Sequence, residues 1–517
     1  MTEHLIFNFL PSAIGFFTVI LALSSLYQIT SSPLREVPGP FLARFSNIWY
    51  FFHVNRGEFE KDNLALHRRY GPIVRYGPNR YSFSHVDAAQ AIYSIGAGSR
   101  FVKSPWYRAF ESPIPNEPDL FSDANIQRHA QRRRKYQSVY SLSSMVSYEA
   151  FVNECADIFD QRLREMASDK ATGKKGWLVD MGHWFQCYAF DVIGMITYSK
   201  RLGFLDDGAD IGDVIAGLEW VMKMNSLAGI YPWMHTIAST IVNWLPSTSI
   251  TGLPFIVHFT QQCITAHQAQ PKAMIPEDGE SEETMDFLTK LLARHRRDPT
   301  MYNKWYAMIG CAQNMAAGSD TTGISLSATL YYLLKYPRTM EKLRQEVDER
   351  VSPSQNISFK DSQSMPYLQA VIKEALRLHP ATGLPLERVV PDGGATICNQ
   401  FFPAGTIVGI NTWVEHQNEQ IYGPDAAEFR PERWLVDDKG KIAFMNRHWM
   451  PFGLGSRTCI GRHVSYLEML KLIPRIVRDF DFELADELKH GSKSWKTNNY
   501  WFVKPKDLNV NVRVRSF

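Results

Sequence analysis

The chain has 517 residues, with 56 Lys+Arg against 53 Asp+Glu and a formal net charge of +3. Its 45% hydrophobic and 21% charged content excludes a disordered or fibrous protein, and so small a net charge gives no electrostatic case for a nucleic-acid binder. Six cysteines stand tens of residues apart with no CxxC, which excludes a zinc ribbon, a thioredoxin-type motif and a dense disulfide scaffold; reduced, cytosol-facing thiols are expected.

The N-terminus departs from this average. No charged residue lies between His4 and Arg35, and residues 5–29 read LIFNFLPSAIGFFTVILALSSLYQI. About 20 apolar helical residues cross a hydrocarbon core of roughly 30 Å, so the run predicts one transmembrane helix. A cleaved signal peptide would open with basic residues and carry a shorter apolar centre, whereas the one formal charge ahead of this run is Glu3. Residues 1–34 are therefore expected to form a membrane anchor, and Arg35 and Arg44 to keep the remainder cytosolic. Val37-Pro38-Gly39-Pro40 cannot continue a helix and reads as a stiff hinge.

Residues 35–517 read as one domain. The most linker-like stretch, residues 270–283, has the composition of a surface loop, and no internal repeat is visible. Apolar residues recur at helical spacing over residues 148–166, 185–198, 304–335, 340–351 and 367–378, and a further helix is expected over 462–479. Strand-like pieces are short, at 73–76, 80–84, 389–390 and 406–411. The fold class is mainly α with small β-sheets, large enough to enclose a bulky cofactor.

The strongest chemical signal is Phe452-Gly453-Leu454-Gly455-Ser456-Arg457-Thr458-Cys459-Ile460-Gly461. A cysteine between a Gly-rich turn and a helix start is expected to have a lowered pKa, because helix N-terminal N–H groups stabilise the thiolate. Such a thiolate is a soft metal ligand, and the glycines let backbone approach a flat cofactor. Two plainer readings stand beside it. The glycines could open a dinucleotide loop, but Thr458 occupies the third glycine position and no strand precedes. Alternatively Cys459 is a buried small hydrophobe.

The stretch matches F-x-x-G-x-R-x-C-x-G at all five fixed positions, and there the chain resembles the cytochromes P-450 at their haem-ligand loop. Other segments follow in that family's order: His129-Ala130-Gln131-Arg132-Arg133, Ala317-Gly318-Ser319-Asp320-Thr321-Thr322, Glu374-Ala375-Leu376-Arg377 and Phe429-Arg430-Pro431-Glu432-Arg433-Trp434. With the anchor and hinge, the resemblance spans essentially the whole chain. It implies a P-450 fold holding haem b, with Cys459 as axial thiolate and metal ligand. It also implies that Phe452 and Gly461 border the haem, and that His129, Arg133, Arg388 and Arg457 hold its propionates.

These motifs have physical readings too. Glu374 and Arg377, at i and i+3, share a helix face and can pair, fixing one packing arrangement against Arg433. A glycine at 318 costs a helix roughly 1 kcal/mol, which marks a close approach or a bend. Beside it, Asp320 and Thr321 stand on an apolar helix. Either they cap their own helix turn, or they deliver protons: Thr321 to bound dioxygen, Asp320 as relay from solvent.

The expected activity is RH + O₂ + 2e⁻ + 2H⁺ → ROH + H₂O; the competing class is a non-catalytic haem carrier or sensor. Residues 185–205, 331–347 and 411–434 resemble filamentous-fungal members, especially the pisatin-demethylase-like group. That implies biosynthesis of a lipophilic secondary metabolite (terpenoid, polyketide or alkaloid) or detoxification of a foreign compound. By position, the pocket is expected from residues 101–126, 218–233, 315–321 and 381–386. The family implies an endoplasmic-reticulum protein with membrane lipid and an NADPH-dependent flavoprotein reductase as partners. Arg128, Arg132 and Lys135, on one helical stripe, are the expected docking charges.

Overall fold

The apolar run at 304–335 forms one unbroken helix, Lys304–Lys335, and the other elements are arranged around it. The computed structural model describes residues 33–93, 100–111, 117–168, 177–233, 253–269, 285–352, 355–489 and 495–516. Asn303 starts the central helix by accepting a hydrogen bond from the Trp305 N–H, and Pro337 opens the next helix where it ends.

The main core joins this helix to Leu142–Ser168, Met181–Tyr198, Phe287–Arg297, Pro337–Arg350, Pro366–Leu378 and Arg462–Asp479. Four of these, those from Leu142, Met181, Pro337 and Pro366, begin ahead of their apolar periods. Asp180, for example, caps the helix from Met181 through the Gly182 and His183 N–H groups. The strands are β1 (Ile73–Gly77), β2 (Arg80–Phe83), β3 (Val102–Lys103), β4 (Trp177–Asp180), β5 (Arg388–Val389), β6 (Ala395–Ile397), β7 (Gln400–Phe402), β8 (Ile407–Gly409), β9 (Phe480–Leu484), β10 (Thr497–Tyr500), β11 (Phe502–Pro505) and β12 (Asn509–Val514). One sheet has the order β1-β2-β8-β5-β3 and another β4-β12-β9, while β6–β7 and β10–β11 are hairpins. Among the C-terminal strands, β9 (FDFEL) and β12 (NVNVRV) do alternate apolar and polar residues, whereas β10 (TNNY) is polar and carries no such period.

The 5–29 run and the 270–283 loop lie outside the described residues. Among the described residues no helix is long and apolar enough to cross a membrane. The Pro-Gly-Pro segment is not a free hinge. The Arg75 N–H donates to the Pro38 carbonyl at 2.8 Å, and Arg75 Nη2 donates to the Leu34 carbonyl at 2.6 Å. A Cβ at Gly39 would stand 2.2 Å from the Arg75 oxygen, so the segment is clamped against β1.

Candidate active site

The helix Pro366–Leu378 carries Glu374 and Arg377, both fully buried. Arg377 grips Glu374 with two bonds, Nε to Oε2 at 2.9 Å and Nη2 to Oε1 at 2.8 Å. Arg433 Nε adds a third at 2.8 Å, and Trp434 Nε1 a fourth at 2.9 Å. The remaining guanidinium N–H groups donate to the carbonyls of His416, Ala426 and Glu428 from Arg377, and of Tyr422 and Asp425 from Arg433. The pair is thus no solvated surface bridge. His416 relays it onward: one ring nitrogen bonds the Arg377 carbonyl at 2.9 Å, and the other accepts the Met450 N–H at 2.9 Å. Burial pushes the His416 pKa down to about 3, keeping the ring neutral for this double role.

Met450 leads directly into the cysteine loop. Gly453 and Gly455 have φ of 70° and 69°, the left-handed region that a side chain would resist. They fold the loop back so that the Cys459 N–H reaches the Phe452 carbonyl at 2.8 Å. The helix Arg462–Asp479 follows at once. Cys459 lies deep in the protein yet keeps open side-chain surface, as a residue lining an internal gap does. A Cβ at Gly461 would meet nothing nearer than 4.0 Å, so neither conformation nor protein packing demands glycine there. The expected lowering of the Cys459 pKa does not hold for the protein alone. Burial raises it and outweighs the Gly461 and Arg462 N–H groups and the Arg133 and Arg462 charges, since a thiolate without a metal is costly away from water.

Beside this gap the cations converge. His129 is buried on the helix Ile126–Gln137, and Arg133 is one turn on. Arg388 is buried on β5, with Nη1 donating to the Glu387 carbonyl at 2.9 Å. Arg457 Nη1 donates to the Asp123 carbonyl at 2.7 Å, but its Nη2 is buried with no hydrogen-bond partner. Lys103, missed in the sequence, joins them from β3, over the rings of Tyr107 and Phe121 at 4.1 and 4.3 Å. Burial first and neighbouring cations second push Arg457 down to about 10 and His129 to about 3; burial and the same kind of neighbours lower Lys103. The carboxylates beside this cluster are committed elsewhere, Asp123 to Arg128 and Asp119 to the Phe121 and Ser122 N–H groups, so the cations are under-compensated and an added anion is favoured. A flat group bearing carboxylates would supply it while filling the gap at Cys459 and Gly461, so these residues fit haem.

The central helix brings the other wall. Ala317 is exposed and Thr321 half-buried, one turn apart, on a helix otherwise largely enclosed. Thr322 Oγ1 lies 3.0 Å from Ser465 Oγ, tying this turn to the helix after Cys459. Gly318 serves a close approach rather than a bend: a Cβ there would lie 3.1 Å from Ile193. Thr321 Oγ1 donates to the Ala317 carbonyl at 2.9 Å, so its proton is engaged and its lone pairs remain. Asp320 does not cap its helix. Gln186 Nε2 donates to its Oδ1, and Lys504 Nζ lies 3.2 Å from the same oxygen.

Three of the four segments expected at the pocket meet in one apolar cluster, with Trp106, Tyr107, Leu227, Ala381 and Leu384 at its centre; the central helix joins it through Ile324, beyond residues 315–321, while Met315 packs in the main core. A fifth contributor was unforeseen. Trp501, at the tip of the β10–β11 hairpin, packs on Trp106 at 5.0 Å and on Phe121 at 5.4 Å between ring centroids. Glu468 was also missed: it is fully buried with neither carboxylate oxygen bonded, and burial holds its pKa well above the usual range. An acid within the apolar run of the Cys459 helix was the available signal.

The expected docking stripe is largely consumed internally. Arg128 pairs twice with Asp123 at 2.9 and 2.8 Å, Arg132 with Glu117 at 2.9 Å, and Lys135 donates to the Met301 carbonyl. Helical phase placed them on one face, but nearby carboxylates folded against it.

A thiol facing an internal gap, an adjoining anion-seeking cluster and an acid–alcohol turn opposite define a haem-thiolate oxygenase site. The cytochrome P450 family profile matches residues 38–509, and the chain belongs to that family. Among its relatives is a pisatin demethylase of Fusarium vanettenii, 40% identical over 93% of this chain and 90% of that protein. Cytochrome P450 monooxygenases of Aspergillus terreus and Penicillium aethiopicum are 37% and 33% identical, over 87% and 95% of this chain and 90% and 95% of their own lengths. The protein is a haem-dependent monooxygenase of the type these fungal enzymes represent.

Proposed function

We propose that this monooxygenase oxidises a lipophilic secondary metabolite from a membrane-anchored position, with Cys459 as the axial thiolate. The observation that carries the assignment is the deep cysteine with open surface beside an arginine whose Nη2 has no partner. Arg133, Arg388, Arg457 and His129 would hold the haem carboxylates, and Lys103 with them; Phe452 and Gly461 would border the ring. Bound there, haem supplies the iron at which O₂ is reduced and one oxygen atom passes to the substrate. The chain's own part is to place groups and protons. Thr321, whose hydroxyl donates a hydrogen bond to the Ala317 carbonyl, offers lone pairs that orient water in the gap. Asp320 moves protons between solvent and that water through its carboxylate. The Trp106–Trp501 wall excludes bulk water and favours an apolar ligand.

In this reading residues 1–34 anchor the chain once in the endoplasmic-reticulum membrane, with residues 35–517 cytosolic. Support comes from apolar surface just beyond the anchor: Phe41 is 72%, Leu42 60% and Phe52 60% exposed. This surface continues through Phe51 to Tyr231 and on to Trp233, itself 64% exposed. Electrons would come from a membrane-bound NADPH-dependent flavoprotein reductase, for which exposed Arg134 and Arg462 supply positive charge near the cysteine loop. The reduced carbon-monoxide spectrum tests the ligand. Cys459→Ala is expected to lose the red-shifted thiolate band, and its persistence would sink the assignment. Reductase-supported turnover with candidate terpenoid, polyketide and alkaloid scaffolds, read by mass spectrometry, tests the substrate class. The demethylase relatives favour a second reading, in which the oxidised carbon is a methyl group of a foreign compound. Release of formaldehyde would distinguish it.

A further inference from the structure

In the antiparallel ladder between β3 and β5, Lys103 stands opposite Arg388, so the next pair along it is Ser104 and Glu387. Successive side chains point to opposite faces of a strand. Lys103 and Arg388 thus turn together into the cation cluster, and Ser104 and Glu387 turn together to the other face. There Glu387 is buried with both oxygens engaged. Oε1 accepts from Arg80 Nη1 and from the Tyr76 hydroxyl at 2.9 Å, and Oε2 accepts from the Ser104 hydroxyl at 2.6 Å. Arg80, itself buried on β2, supplies the counter-charge that a carboxylate needs away from water.

The Ser104 hydroxyl has a second role. It accepts the Trp106 N–H at 3.3 Å and so caps the short helix Pro105–Phe110. Trp106 is held from the neighbouring pocket segment as well. Its Nε1 donates to the Ser226 carbonyl at 3.1 Å, near the end of the helix Val214–Ala228, and a Cβ at Gly229 would stand 2.6 Å from its ring. Arg80 Nη2 reaches the Ile230 carbonyl of that same segment at 3.4 Å. The indole closes the seam between the two segments, and one ion pair fixes both sides of it, the first through Ser104 and the second through Arg80. The tie to the cysteine loop is short. Arg388 follows Glu387 in the chain, and Leu386 before it lies 4.0 Å from a Cβ placed on Gly453.

We propose that Glu387 is a specificity-determining positioning residue: through Ser104 and Arg80 it latches Trp106 across this seam and so sets the size of ligand that the pocket admits. The Trp106 ring packs on Phe110 and Trp501 at 4.9 and 5.0 Å between centroids, so a ligand larger than the enclosed space must displace it. Such a ligand binds only the fraction of molecules in which the latch is open, and its apparent affinity falls by that fraction, whereas a small ligand is indifferent to it. The inference rests on the reading of this pocket as the space beside the haem.

The test uses full-length holoenzyme and two probes that ligate haem iron: imidazole, and biphenylylimidazole, whose extra rings extend into the pocket. Their dissociation constants are read from the shift of the haem absorption band. Ser104→Ala removes both bonds of the hydroxyl. Glu387→Asp keeps the charge beside Arg80 while drawing the carboxylate one methylene back from Ser104. Each is expected to tighten biphenylylimidazole about 3–10-fold, the change that one lost hydrogen bond makes, and to leave imidazole unaffected. Ser104→Thr keeps the hydroxyl and should match the parent. The double variant should gain no more than the larger single one, because both changes break the same link. In protein labelled with fluorotryptophan, the fluorine resonance that Trp106→Phe removes should broaden in Ser104→Ala and Glu387→Asp alike. An unmoved Trp106 resonance overturns the proposal, as do additive effects in the double variant or equal changes for the two probes. Unchanged discrimination between the probes in Trp106→Ala overturns the size-setting role. Failure of imidazole to bind the parent would instead sink the haem reading beneath it.

Discussion

Two buried charge clusters flank the cysteine loop, and they are built on opposite principles. Around Glu374 every charge is answered within the chain: one carboxylate takes bonds from Arg377, Arg433 and Trp434, and the spare guanidinium N–H groups find carbonyls. Around Arg457 the cations Lys103, Arg133 and Arg388 gather with neutral His129, and one guanidinium nitrogen is unpartnered. A closed cluster specifies packing; an open one stores affinity for an anion. In the open cluster burial first and neighbouring cations second push Arg457, His129 and Lys103 down.

Breaking the closed cluster should have the largest effect. Glu374→Gln leaves two buried guanidiniums uncompensated and is expected to cost about 3–5 kcal/mol, visible in denaturant unfolding and as loss of haem loading. A cost below about 1 kcal/mol would mean that the carbonyls alone suffice.

The same kind of change in the open cluster should act differently. Arg457→Gln removes a strained cation, so haem-free protein should be no less stable than the parent. Haem retention should weaken about 10–100-fold, the loss of a hydrogen bond to a charged group worth about 1.5–3 kcal/mol. Haem transfer to an acceptor protein measures the second effect, and thermal unfolding of the apo-protein the first.

His416 sharpens the contrast through pH. In the unfolded chain its ring takes a proton near pH 6.5, but in the fold only near about 3. Between these values the unfolded state binds more protons, so this residue makes stability fall as pH falls. His416→Gln should flatten the stability profile by about 1.4 kcal/mol per pH unit over roughly pH 4–6. Parallel profiles for the two proteins would refute the neutral relay.

The smallest effect belongs to the partly exposed pair Arg132–Glu117. Arg132→Gln should shift stability by about 0.2–1 kcal/mol and leave reductase-supported turnover within about twofold. A several-fold slowing at low salt would show that the stripe meets a partner despite its internal bonds.

Much of this architecture was legible beforehand, for a local reason. The cysteine loop, the Glu374/Arg377 pair and the Asp320-Thr321 turn are contiguous motifs, and helices Lys304–Lys335 and Arg462–Asp479 follow the 3.6-residue period of their apolar faces. The β10–β11 hairpin (TNNY and FVKP) lacks the alternation that β9 and β12 show, and with it Trp501 and Lys504 went unmarked.

The sequence by itself determined the helical framework, the cysteine and the acid–alcohol pair, because each is set by residues adjacent in the chain or one helical turn apart. Only the tertiary structure decided which charges are answered and which are left open. Arg128 and Arg132 looked like free docking charges until carboxylates folded against them. Lys103 and Lys504 carried no signal in the sequence; strand pairing carried them inward. A charge's role depends on the dielectric and the counter-charges around it, and packing between distant segments creates both.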